Sequence, residues 1–134
     1  MAKQPLVVVA AALVDSNTRI FVQQRPPGKA MAGLWEFPGG KVEPGEQPEA
    51  ALVRELREEL AIETETACLA PATFATGMIE DRQLLLLLYV CRKWKGQVVP
   101  TEASDSRWLH KQQLFALDMP PADQPLVAML DALL

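Results

Sequence analysis

The chain has 134 residues, a net charge of −4 and a hydrophobic content of 49%, which reads as one domain, 1–134, able to bury a sizeable core. Its acidic balance argues against coating nucleic acid or an anionic membrane, and it would repel a phosphorylated ligand unless metal ions and a few placed cations received it. The single histidine, His110, and the two cysteines, Cys68 and Cys91, give a Ser-His-Asp triad or a multi-His zinc site little to work with and suit reduced thiols in a cytoplasmic protein.

Residues 5–14 and 19–24 read as strands joined by a turn at Asp15-Ser16-Asn17. The apolar start runs directly into the second strand, so it is expected to be a core strand and not a leader. Residues 25–33 form a loop on their Pro and Gly content. Trp35-Glu36-Phe37 reads as a short strand, Pro38-Gly39-Gly40 as a turn, and 47–60 as a helix with Pro48 in its first turn, where proline is tolerated. One or two short strands are expected within 63–79. The apolar run 84–90, with five consecutive leucines, is too short to cross a bilayer and suits a strand covered on both faces. Lys95-Gly96 marks a turn, 106–109 a strand, 110–116 a short helix, and 124–134 a closing amphipathic helix after the Pro120-Pro121 break. Strands interspersed with helices point to an α/β (α+β) fold, a sheet sandwiched between helices.

Helix 47–60 places Glu55, Glu58 and Glu59 within roughly 100° of arc, with Leu52, Val53, Leu56 and Leu60 on the adjacent arc. Converging carboxylates repel one another unless positive charge sits among them. A hard divalent cation with oxygen ligands is a natural partner; a solvated acidic face balanced by Lys and Arg is the plain alternative. Beyond the helix, Gly40 and Glu46 precede Arg54-Glu55-Leu56-Arg57-Glu58-Glu59-Leu60 at fixed offsets, followed by Ala61 and Ile62. This segment resembles the Nudix box, the signature of the Nudix hydrolases. One fixed position departs: Ala61 stands where the family has Gly. Either Ala61 takes the left-handed conformation at a cost of roughly 1 kcal/mol, or the helix runs one residue further; neither removes a carboxylate.

The resemblance implies a Nudix-type mixed β-sheet sandwiched between helices and a Mg²⁺-dependent enzyme, with Mn²⁺ as an alternative ion. Carried over by position, Glu55, Glu58 and Glu59 are the implied metal ligands, with the carbonyl of Gly39 as a further oxygen. Arg54 is implied to orient Glu55, and Glu46 to support the loop or the outer metal shell. The stretch 34–43, LWEFPGGKVE, is similar to the MutT-like branch, which cleaves nucleoside triphosphates to monophosphate and pyrophosphate. In that branch Arg25, Phe37, Arg82 and Asp123 correspond to residues around the base, and Glu102 to a loop glutamate that approaches the metals. The best-known pattern of the branch has Asn where this chain has Asp123. An ionised Asp only accepts hydrogen bonds, which suits a guanine-type base or the cytosine amine; a protonated one donates; an N-cap of the last helix is the structural alternative.

The implied activity is hydrolysis of an oxidised guanine nucleotide such as 8-oxo-dGTP. CTP or 5-methyl-dCTP pyrophosphohydrolysis, ADP-ribose or dinucleoside polyphosphate hydrolysis, and a non-catalytic nucleotide-binding module stand as alternatives. The expected partner is a small nucleotide, with no stable nucleic-acid or membrane binding, on a monomer or homodimer.

Overall fold

The computed structural model describes residues 4–134. In chain order the elements are β1 Leu6–Leu13, β2 Ile20–Gln24, β3 Trp35–Glu36, β4 Gly39–Lys41, α1 Pro48–Leu60, β5 Leu69–Ile79, β6 Arg82–Cys91, β7 Asp105–Leu109 and α2 Gln124–Leu133, with 3₁₀ turns at Thr66–Cys68 and Lys111–Ala116. The larger sheet has the order β4-β1-β6-β5 and the smaller one β3-β2-β7. Strands β1 and β6 run parallel, Leu6 opposite Leu84 and Leu13 opposite Cys91, while β4 and β5 join the sheet antiparallel. The larger sheet is therefore mixed, as the sequence led us to expect.

Both central strands are apolar at successive positions because both of their faces are covered. Val9, Ala11 and Leu13 of β1, with Tyr89 and Cys91 of β6, pack against Ala51, Leu52, Leu56 and Leu60 of α1. Their neighbours Ala10 and Ala12, with Leu86, Leu88 and Val90, pack against Leu126, Val127 and Leu130 of α2. Burying each of the α1 leucines stabilises the fold by about 2 kcal/mol. No helix among the described residues is long and apolar enough to cross a membrane.

Helix α1 opens on Pro48, whose missing N–H is harmless in a first turn, and closes at Ala61, which takes φ 58°, ψ 31° and donates its N–H to the Arg57 carbonyl at 3.1 Å. Of the two outcomes open for Ala61, the left-handed one is realised, so the helix ends where a glycine would end it.

Two stretches differ from the sequence reading. Residues 63–79 hold one long strand after a 3₁₀ turn, not one or two short strands. Pro71 and the Ala and Gly of this stretch are weak strand formers; ladder pairing with the leucine run, from Leu69–Cys91 to Ile79–Arg82, imposes the conformation, and the register shifts between Pro71 and Thr73. Gly39 and Gly40, read as part of a turn, belong to β4. A Cβ on Gly39 would run into the Val9 carbonyl, so the bare backbone is what lets β4 lie against β1.

Candidate active site

The acids of α1 are organised around one guanidinium. Arg54 grips Glu46 with two hydrogen bonds, Nε to Oε2 at 2.9 Å and Nη2 to Oε1 at 3.0 Å. Its Nη1 reaches Glu55 Oε1 at 3.0 Å and Glu58 Oε2 at 3.3 Å, and Nη2 also donates to the Lys41 carbonyl at 3.2 Å. Planar forked geometry suits this multiple engagement in a way a lysine could not match. The bond from Arg54, followed by one from the Glu43 N–H, holds the Glu46 carboxyl down to about 2. Glu46 thus anchors Arg54, and Arg54 sets Glu55 and Glu58. Glu55 lies over Gly40, where a Cβ would occupy the space of its carboxylate. That contact gives the first glycine of the motif a physical function: it is the floor beneath an acid.

Glu59 differs from its neighbours. Its Oε1 accepts a hydrogen bond from Gln23 Nε2 at 2.9 Å, and its Oε2 is buried with no hydrogen-bond partner. Burial, then the nearby Glu55 carboxylate, push this carboxyl up to about 8, with Gln23 pulling the other way. Like charges forced together out of water are what a cation would relieve. Among the described residues no three acidic, His or Cys side chains stand closely enough to grip an ion as they are; Glu55 and Glu58 lean on Arg54, and Glu59 on Gln23. The donor set nevertheless fits a hard divalent ion: carboxylate oxygens from adjacent turns of one helix, one of them buried and unmatched.

Glu102 is exposed and reaches this region through its neighbour. Thr101 donates its N–H to the Glu59 carbonyl at 2.9 Å, and its hydroxyl lies 3.1 Å from the same oxygen. The last turn of α1 is thereby tied to the Glu102 loop.

A second polar cluster stands beside the acids. Arg25, just after β2, donates from Nη1 to Glu36 Oε2 at 2.9 Å and from Nε to the Ala30 carbonyl at 2.6 Å. Burial raises the Glu36 carboxyl, with Arg25 opposing. Burial, then the charge of Glu36, pushes Asp123 up to about 7, again with Arg25 opposing. Asp123 occupies the N-cap position of α2 but its side chain makes no capping bond, and its φ −80°, ψ −25° is helical where a capping residue is extended. The capping role is therefore not realised. Ala122, the preceding residue, faces Gly77 of β5, where a Cβ would stand 3.5 Å away.

The other residues carried over from the resemblance lie as follows. Phe37 is 3% exposed and packs in the core on the α2 side of the sheet with Trp35 and Leu86. Arg82 opens β6 and donates from Nε to the Gln4 carbonyl at 3.2 Å; the structure joins Arg25, Glu36 and Asp123 electrostatically but gives Arg82 no bond to them. Glu36 and Gln23 were not singled out in the sequence. They stand opposite each other across β2 and β3, a pairing visible only once the strands are in register.

A NUDIX domain profile matches residues 4–130, and the chain belongs to that family; with its diphosphatase relatives, this makes it a pyrophosphohydrolase. It is similar to an 8-oxo-dGTP diphosphatase of Proteus vulgaris, 38% identical over 104 residues, 78% of this chain and 91% of that one. It is also similar to the CTP pyrophosphohydrolase of Escherichia coli K12, 34% identical over 122 residues, 91% of this chain and 89% of that one. The solution structure of the E. coli ORF135 protein superposes with a TM-score of 0.86 at 34% identity, covering 97% of this chain and 91% of that one.

Proposed function

We propose that the protein hydrolyses 8-oxo-dGTP to the monophosphate and pyrophosphate, dependent on Mg²⁺ or Mn²⁺, and so cleanses the cytoplasmic nucleotide pool. The observation that carries the reading is the juxtaposition of two groups: convergent acids on α1, and the half-buried Arg25–Glu36–Asp123 cluster. The family resemblance supports the first as the phosphate end and the second as the base end.

Glu55, Glu58 and Glu59, with the Gly39 carbonyl and Glu102, would hold the divalent ions, which when bound neutralise phosphate charge and acidify a water. Arg54 keeps Glu55 and Glu58 turned toward that centre, and Glu46 keeps Arg54 in place. Gly40 leaves Glu55 the room it needs. At the base end two carboxyl groups face one guanidinium, so acceptors outnumber donors while the acids are ionised. The 8-oxo-guanine base presents N–H donors at N1, N2 and, unlike guanine, at N7, where the normal base has an acceptor. Two acceptors match that donor-rich base better than cytosine, whose one donor group is its amine. The similarity to a CTP pyrophosphohydrolase favours cytosine as a second reading, in which Asp123 accepts from that amine.

The test is kcat/KM for 8-oxo-dGTP, dGTP, CTP and 5-methyl-dCTP with Mg²⁺ and with EDTA, products resolved by ion exchange. We expect pyrophosphate release, abolition by EDTA, and 8-oxo-dGTP preferred over dGTP by at least tenfold. A pyrimidine winning by kcat/KM sinks the oxidised-guanine assignment; turnover unaffected by EDTA sinks the metal assignment.

A further inference from the structure

We infer that Gln23 is a positioning residue for Glu59: its carboxamide fixes one oxygen of that carboxylate and leaves the other to the metal. The inference rests on the metal-dependent reading given above. Gln23 lies on β2 after Ile20, Phe21 and Val22, all essentially inaccessible, and is itself 5% exposed, the one polar side chain in the buried set among the described residues. A strand of this kind takes Val or Ile at such a position without penalty. Burying a primary amide costs free energy unless its hydrogen bonds are replaced. Local preference and core packing both disfavour glutamine here, so its presence calls for a compensating contact.

That contact is the 2.9 Å bond from Gln23 Nε2 to Glu59 Oε1. It crosses from the small sheet to the catalytic helix, between residues far apart in sequence. Gln23 is held rigidly, because its backbone pairs with Glu36 of β3 on one side and Ser106 of β7 on the other. A side chain rooted between two strands is a firmer fixture than one on a loop. The consequence is geometric. With Oε1 engaged, the carboxylate cannot rotate freely, and Oε2, buried and without a partner, is the oxygen that remains. Supports of this type, which hold a ligand by its second atom, typically change metal affinity or activity 10–100-fold when removed. Arg54 performs the corresponding service for Glu55 and Glu58 from the opposite side. Glu59, which Arg54 is not seen to contact, has Gln23 instead.

The experiment is direct Mn²⁺ binding, by calorimetry and by loss of the free-ion paramagnetic resonance signal, on wild type, Gln23→Met and Gln23→Glu, with Glu59→Gln as reference. Methionine keeps length and apolar character and lacks the donor, so Gln23→Met is expected to fold. Its thermal midpoint and its affinity for 8-oxo-dGMP without metal serve as checks; we expect that affinity to stay within about twofold. We expect Mn²⁺ affinity to fall roughly 10–100-fold in Gln23→Met, further in Gln23→Glu, where a carboxylate faces Glu59, and kcat in Gln23→Met to recover partly at high Mn²⁺. A folded Gln23→Met protein with wild-type Mn²⁺ affinity overturns the inference and leaves the metal-dependent reading intact. A wild-type protein that binds no Mn²⁺, or binds it equally well as Glu59→Gln, overturns the inference together with the metal ligation it rests on.

Discussion

Asp123→Asn offers a quantitative check on the half-buried cluster of Arg25, Glu36 and Asp123. In the folded protein burial and the charge of Glu36 move the Asp123 carboxyl from 3.8 to about 7. A raised acid favours the folded state below its unfolded value, and that stability is lost as pH rises through the folded value. At 1.36 kcal/mol per pH unit the gap corresponds to about 4 kcal/mol. Water at the partly open cluster screens the charge, so about 2 kcal/mol is the working figure. Asparagine has a similar shape and no charge to lose. More than half of that figure falls between pH 5 and pH 8, so the stability of Asp123→Asn relative to wild type should rise by about 1 kcal/mol over that interval, or roughly 4 °C in midpoint. Urea unfolding of both proteins at pH 5, 6, 7 and 8 measures it. Comparing the two at each pH cancels the contribution of Glu59, whose shift comes from burial, Glu55 and Glu36 and not from Asp123, while Glu36, whose charge acts on Asp123, shifts together with it. A difference independent of pH would refute the placement of Asp123 in a desolvated, acid-rich environment.

The remaining predictions concern the motif itself. Glu58→Gln, at a carboxylate whose side chain is 60% exposed, should fold normally and lose on the order of a thousandfold in kcat; unchanged turnover in a steady-state assay removes Glu58 from the reacting centre. Gly40→Ala should cost about 1–3 kcal/mol by chemical denaturation and lower kcat with it, because the added methyl displaces Glu55. Ala61→Gly should raise stability by up to about 1 kcal/mol, since glycine adopts the φ of 58° without strain; a loss of stability would show that the Ala61 methyl is worth more than the strain it carries.

What could be read in the sequence was whatever leaves a periodic or punctuated trace. The acids of α1 recur at helical spacing, and the leucine run of β6 is apolar at successive positions because helices cover both faces. Strand β4 left no such trace: two of its three residues are glycines, and closeness to β1 makes it a strand. In strand β5 the prolyl, alanyl and glycyl positions punctuate the pattern and suggest shorter pieces, while pairing with β6 carries one strand through them. Gln23 and Glu36 became functional candidates only through register, which sets them opposite each other and brings Gln23 to Glu59. Asp123 before Gln124-Pro125 looks like a helix cap; its helical backbone angles deny it that role and leave it with the charged cluster.

The parallel pairing of β1 with β6 also governs when the protein can form. Strand β1 leaves the ribosome well before its parallel partner, Leu84–Cys91, has been made. Until then an unpaired, strongly apolar edge is exposed, the circumstance in which nascent chains associate wrongly or need chaperones. Synonymous changes that slow translation between Gly40 and Leu84 prolong that interval, and yield of folded protein should track its length.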